Sequence, residues 1–299
     1  MFIINHRKIF FLISIIAVAL SIFSIGYFGL NLGIDFTGGS ILEVSYADGR
    51  PETASLRQAL DQGGYPESSI QPAGTNSVIF RLRPINELEK SSLLKVVSLE
   101  NKIAIEQRFS SIGPTVSSEL AQKGIIALVI VSVLIVLFIA LTFNGVSKPV
   151  SSWVYGLIAV LALLHDIIIP TGVFAILGHL YGVEIDALFL TAVLTILGLS
   201  VNDTIVVFDR IRENLKNKIS NDFATTVGTS LEQTFVRSLN TSLTVLIVLV
   251  ALYIFGGTTT KDFSLVLIIG TAVGAYSSLF IASPLLVTWE RFNVKNKNK

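Results

Sequence analysis

Six long apolar runs constrain this chain more than anything else in it: Ile9–Leu30, Gly124–Phe143, Val150–Leu177, Ala187–Phe208, Ser238–Phe255 and Phe263–Val287. A helix needs ~20 such residues to cross a ~30 Å hydrocarbon core. In lipid only a helix or a closed barrel satisfies its own backbone, so runs of this length predict six membrane-spanning helices. Composition agrees. Charged residues are 14% of the 299, against about a quarter in soluble domains, and mean hydropathy is +0.71. The first run follows His6-Arg7-Lys8, as a signal peptide would. It is too long for a signal h-region and no A-x-A site follows, which favours an uncleaved anchor over 1–30.

Residues 31–123 read as an ordinary soluble domain. Ser40–Tyr46 has strand character and closes on the Asp48-Gly49 turn. Thr53–Gln62 is a helix stopped by Gly63-Gly64, Ser77–Arg83 a second strand, Glu87–Val97 a second helix, and a last strand falls within Ile103–Ile112. The order fits a small ferredoxin-like α+β domain. The expected fold is thus a polytopic helical membrane protein with this domain between spans one and two, and with spans two to six over 124–289.

Lys and Arg flank the spans unevenly. With the N-terminus in the cytoplasm, Arg7, Lys8, Lys148, Arg210, Arg212, Lys216, Lys218, Arg237, Arg291, Lys295, Lys297 and Lys299 all fall on that side. The short loops opposite, 178–186 and 256–262, hold only Lys261. This asymmetry predicts both termini, a 210–237 loop and the basic tail 290–299 inside, and 31–123 outside.

Composition also removes function classes. A net charge of +1 gives no basic field for nucleic acid. No cysteine is present, so disulfides, thiolate metal sites and cysteine nucleophiles are excluded, and three scattered histidines make no usual zinc set. No G-x-S-x-G, H-E-x-x-H or P-loop pattern supports an enzyme, and no cofactor is indicated.

Ionisable side chains at membrane depth are costly and usually functional. Asp166 lies in the third run between His165 and Pro170, Asp203 follows Asn202 in the fourth, and Arg237 opens the fifth. Asp203 is about 24 Å from the start of its run and Arg237 about 27 Å from the end of the next, at 1.5 Å per residue. Equal depth would let the two pair. Protonating Asp203 would then release Arg237, a two-state switch, although a static ion pair that fixes packing fits the same spacing. Asp166 reads as nearer the outer half, either a second proton station or a carboxylate paired with His165 or a neighbouring span. Thr191, Thr195, Gly198 and Asn202 form one stripe, and Arg237, Thr241 and Thr244 another. Gly270, Gly274, Ser278 and Ala282 form a small-residue seam for helix packing. Asp209, Arg210, Arg212 and Glu213 alternate in sign after the fourth run and read as a solvated helix end, with a docking surface as the alternative.

Five segments carry a family resemblance. Gly33-Ile34-Asp35-Phe36-Thr37-Gly38-Gly39 resembles the G-x-D-F-x-G-G signature after the first span of the SecD and SecF proteins. The segment from Gly113 to Leu120 (GPTVSSEL), Leu164-His165-Asp166, the segment from Gly198 to Asn214 (GLSVNDTIVVFDRIREN) and that from Arg237 to Ser242 (RSLNTS) resemble successive signatures of SecF. They occur in family order over nearly the whole chain. The resemblance implies one six-span half of an RND-superfamily transporter in a prokaryotic cytoplasmic membrane. It implies a SecD partner, the SecYEG channel and SecA, with YajC and YidC as further partners, an unfolded preprotein as substrate and the proton motive force as energy source. It places proton coupling at Asp203 and Arg237, with Asn202 and Asp166 beside them, and makes Asp35, Gly38 and Gly39 a hinge that couples the spans to the outside domain. Two rivals remain: half of a proton-coupled small-molecule exporter, marked by a large binding cleft in the outside domain, and a non-coupling assembly subunit, which would keep full function after loss of both Asp203 and Arg237.

Overall fold

A computed structural model describes residues 1–47, 49–99, 101–142 and 149–297. Asp48, Phe143, Lys148 and Lys299 of the reading above lie outside the described residues, as do the side chains of Lys295 and Lys297. The chain divides into two units, Leu32–Ile125 and a helical unit of Met1–Asn31 with Ile126–Lys299.

The first unit holds α3 (Ile34–Thr37), β1 (Gly39–Ser45), α4 (Thr53–Gln62), β2 (Ser69–Ala73), β3 (Ser77–Leu82), α5 (Glu87–Val97) and β4 (Ile105–Ile112). The sheet is antiparallel in the order β2-β3-β1-β4, the ferredoxin-like βαββαβ arrangement. Alternation decides which face is buried. Leu42 and Val44 of β1 and Val78, Phe80 and Leu82 of β3 point inward, where Leu56 and Leu60 of α4 and Leu93 and Val97 of α5 cover them. A capping box starts α5, with Asn86 accepting from the Glu89 N–H at 2.9 Å and Glu89 accepting from the Asn86 N–H at 3.1 Å. β2 is absent from the sequence reading. It is an edge strand that carries Pro72 and shows no apolar alternation, and proline is tolerated only at such an edge.

The second unit contains a short α1 (Phe2–Asn5) and then α2 (Arg7–Phe28), the membrane-depth part of α6 (Pro114–Thr142), α7 (Ser152–Tyr181), α8 (Ala187–Lys216), α9 (Phe223–Phe255) and α10 (Thr258–Ser277). α10 passes through a π-helical turn, Ser278–Ala282, into α11 (Ser283–Lys297), so that both form the last span. Six helices are thus long and apolar enough to span a membrane. Their ends have local causes. Pro114 begins α6, where its missing N–H costs nothing. Asp186 caps α8 by accepting from the Phe189 N–H at 2.9 Å, Asp222 caps α9 by accepting from the Thr225 N–H at 2.8 Å, and Gly182 ends α7 at φ 69°.

Within the 210–237 segment only 217–222 is non-helical, because α8 and α9 continue past their apolar runs. Outside lipid a helix needs no apolar side chains, and Arg210–Glu213 (2.6 Å) and Arg212–Asp209 (3.7 Å) pair along α8 at helical spacing.

Candidate functional site

The most enclosed charge in the helical unit is Asp166, 0% exposed, in the middle of α7. Its Oδ2 accepts from the Ser200 hydroxyl of α8 at 2.5 Å and from the Ser277 hydroxyl of α10 at 2.7 Å. Its Oδ1 is 2.9 Å from His165 Nδ1. Pro170 has no N–H to give to the Asp166 carbonyl, so α7 lacks one rung at this level. Glycine opens the space: a Cβ on Gly274 would stand 3.6 Å from Asp166 Oδ2 and 3.1 Å from Ser200 Cβ. The small-residue seam therefore packs α10 on α8, as its spacing predicted. Below it, Ser278 Oγ lies 3.0 Å from Thr204 Oγ1, beside Asp203.

Asp203 is half-buried on α8 and accepts from the Ser242 hydroxyl of α9 at 3.0 Å. The expected pairing with Arg237 is corrected. Among the described residues no ion pair within 4.0 Å joins them. Arg237 is exposed and lines a cleft of about 240 Å³ with Val206, Asp209, Arg210, Glu213 and Gln233. The reason is register. Asp203–Ser242 and Asn214–Ser230 (2.8 Å) fix the antiparallel pairing of α8 and α9. That pairing sets Arg237 opposite the Val206–Arg210 turn, about 7 Å along the axis from Asp203 at 1.5 Å per residue. The ends of the two helices are not level, so equal counts from those ends do not give equal depth. Asp166 is conversely nearer Asp203 than its position in the run suggested, since its partner Ser200 lies three residues before Asp203 on α8.

Asn202 is exposed with Thr191, Thr195 and Gly198 on one face of α8, and Arg237, Thr241 and Thr244 are exposed on α9. Asp209, Arg210, Arg212 and Glu213 stand in the intrahelical pairs already described. Asp35 lies in the first turn of α3. Gly38 and Gly39 have φ of +76° and +132°. A Cβ on Gly38 would meet Pro114 Cα and Ser117 Oγ at 3.3 Å, and one on Gly39 the Leu82 carbonyl oxygen at 2.9 Å. These glycines make a crowded corner at backbone angles that favour glycine. Ser200, Ser242 and Ser277 were missed in the sequence. Ser200 and Ser242 fall within two of the quoted signatures, whereas no signature covers Ser277.

Six spans, buried carboxylates at their middle and a ferredoxin-like domain after the first span define one half of an RND-type membrane protein. The family pattern of the protein export membrane protein SecD/SecF, C-terminal, matches residues 93–292, and the SecD/SecF GG motif matches 23–48. The chain belongs to the SecD/SecF family of protein-export membrane proteins. It is 44% identical to the protein translocase subunit SecF of Thermobaculum terrenum, over 96% of this chain and 93% of that one. It is 34% identical to the protein translocase subunit SecDF of Bacillus subtilis, over 96% of this chain and 38% of that one. The crystal structure of SecDF from Thermus thermophilus superposes with a TM-score of 0.83 at 31% identity, covering 96% of this chain and 38% of that chain. The chain thus spans the length of a SecF protein but well under half of a SecDF protein.

Proposed function

We propose that this chain is an accessory subunit of the Sec protein translocase that works with a SecD partner half and uses the proton motive force to promote preprotein translocation and release. One observation carries the need for a partner. Two spans turn Thr191, Thr195, Asn202, Arg237, Thr241 and Thr244 outward. An amide facing lipid beside Asp203 is expensive, and a second six-span half would cover it. The unequal distribution of Lys and Arg supports both termini in the cytoplasm and residues 31–123 on the far side of the cytoplasmic membrane. On the same reading SecYEG, SecA, YajC and YidC are neighbours in the assembly, and the sheet domain holds the emerging polypeptide.

In this reading Asp203 is the coupling carboxylate, with Asn202 beside it and Asp166 as a second acid of the same pathway. In the state described, Asp203 is held by Ser242, and Arg237 rests in the cleft beside Asp209 and Glu213. Proton exchange at Asp203 exchanges its partners, shifts α8 against α9 and passes movement through the Asp35–Gly38–Gly39 corner to the sheet domain. One charge moved across 100 mV supplies ~2.3 kcal/mol, enough to bias two nearly balanced states. The test is Asp203→Asn in the full chain with its partner half, in vesicles that export a preprotein under an imposed proton gradient. The gradient-dependent part of export is expected to fall to background. Undiminished stimulation by the gradient overturns the reading.

A further inference from the structure

Among the described residues no Lys or Arg forms an ion pair with Asp166. On the elements packed against α7, α2 carries no titratable group between Lys8 and Tyr27, α6 none after Lys123, and α11 none before Glu290. α8 brings Asp203, another acid, three residues beyond Ser200. α10 brings Tyr276, whose ring stacks on His165 with centroids 6.4 Å apart and whose hydroxyl donates to the Phe10 carbonyl at 3.0 Å. Among the described residues the only titratable side chain in contact with the Asp166 carboxyl is His165, itself 7% exposed.

A neutral imidazole beside a carboxylate would leave one net negative charge in the middle of the bundle, which burial disfavours. One added proton removes it. We infer that His165 and Asp166 form a single proton-binding site, separate from Asp203, that holds one proton as a net-neutral pair. The proton has two possible seats. In one, an imidazolium donates Nδ1–H to the carboxylate. In the other, the carboxylic acid donates from Oδ1 to a bare Nδ1. Both forms carry a hydrogen on Nε2, whereas the unloaded pair, with Nδ1–H on the carboxylate, leaves Nε2 bare. Nε2 is buried and has no hydrogen-bond partner, and His165 closes the floor of an apolar groove lined by Ser14, Ile15, Val18, Ile22 and Ile281. The state of this one nitrogen therefore reports whether the site is loaded.

The site has a route to the rest of the bundle. Its hydroxyl donors belong to the two helices that also meet at Thr204 and Ser278, one residue from Asp203. A change in the proton of the pair changes the bonds that hold α8 to the last span. That consequence rests on the proton-coupling reading above; the existence of the site does not.

The test uses the full chain in lipid vesicles with isotope-labelled histidine and nitrogen NMR. The chain has three histidines, so His165→Gln assigns the signal by its loss. At neutral pH, Nε2 of His165 is expected to be protonated; a bare Nε2 overturns the proposal. Asp166→Asn is expected to move the His165 signals and leave those of His6 and His179, and unchanged signals overturn it. Should that variant not fold, Ser277→Ala removes one donor to the carboxyl and is expected to move the same signals, with no movement again overturning it. Asp203→Asn is expected to leave them in place; a shift there would show one coupled cluster rather than two sites. None of these readings depends on export, so they stand or fall apart from the Asp203 experiment.

Discussion

In the sheet domain, Leu42, Val44 and Phe80 are fully buried, and the Tyr46 phenol within that core reaches only as far as the Val97 carbonyl, 3.0 Å away. Burial pushes that phenol up to about 12. In the bundle apolar side chains lie outside as well as inside. Leu20, Ile22 and Phe23 of α2 and Val129, Val133 and Leu134 of α6 face outward, while Asp166, Ser200, Ser277 and Ser278 are enclosed. Water drives apolar side chains inward in the first unit. Lipid tails are as apolar as leucine and exert no such drive, so in the second unit close packing and interhelical hydrogen bonds hold the helices together. The two units share one device, a glycine where two backbones meet.

That shared device offers the largest test. Gly39→Val puts a branched side chain at φ +132° against the Leu82 carbonyl. It is expected to cost about 3 kcal/mol and to strip amide-exchange protection from β1, β3 and β4 while the bundle keeps its own. Equal loss in both units would erase the distinction between them. Gly172→Val does the corresponding thing to the bundle, because an added Cβ would stand 2.5 Å from Ser21 Cα on α2. Overpacking there is expected to cost about 2 kcal/mol in reversible micelle unfolding, with the sheet amides unaffected. The smallest effect separates polar groups outside lipid from those inside it. Asp222→Ala removes the α9 cap and is expected to cost about 1 kcal/mol. The Thr225 hydroxyl, then its N–H, holds the Asp222 carboxyl below the usual carboxylate range. Its stabilisation is therefore full above the ordinary value of about 3.9 and lost as pH falls through the lowered one. Wild type and variant should converge in acid, as followed by thermal unfolding across pH.

The sequence was legible where one local rule decides the outcome. Thr53–Gln62 and Glu87–Val97 appear with the bounds their punctuation predicts, since glycine stops the first and a capping box starts the second. The six spans are legible because length and hydropathy alone define them. What was not legible depends on relative placement. Arg237 lies about five residues from the level of Asp203, because the register of α8 against α9 is set by Asp203–Ser242 and Asn214–Ser230, and no composition along either helix records that register. Ser200 and Ser277 meet one carboxylate from two helices, and no pattern along either helix records that meeting. The crowding at Gly38 and Gly39 comes from Pro114, Ser117 and Leu82, which lie far from them in the sequence.

The π-helical turn at Ser278–Ala282 has a consequence for descent as well as for packing. One extra residue in a helix turns everything after it by about 100°. The faces of α11 that bury Leu286 and Val287 are therefore set by the length of this turn as much as by their own sequence. Loss of a single residue there would swing that face toward lipid or water, while Ser277, which precedes the turn, kept its place beside Asp166. Relatives that bury the same face of the last helix must then keep the spacing, so a gap in this turn should be far rarer than any substitution within it.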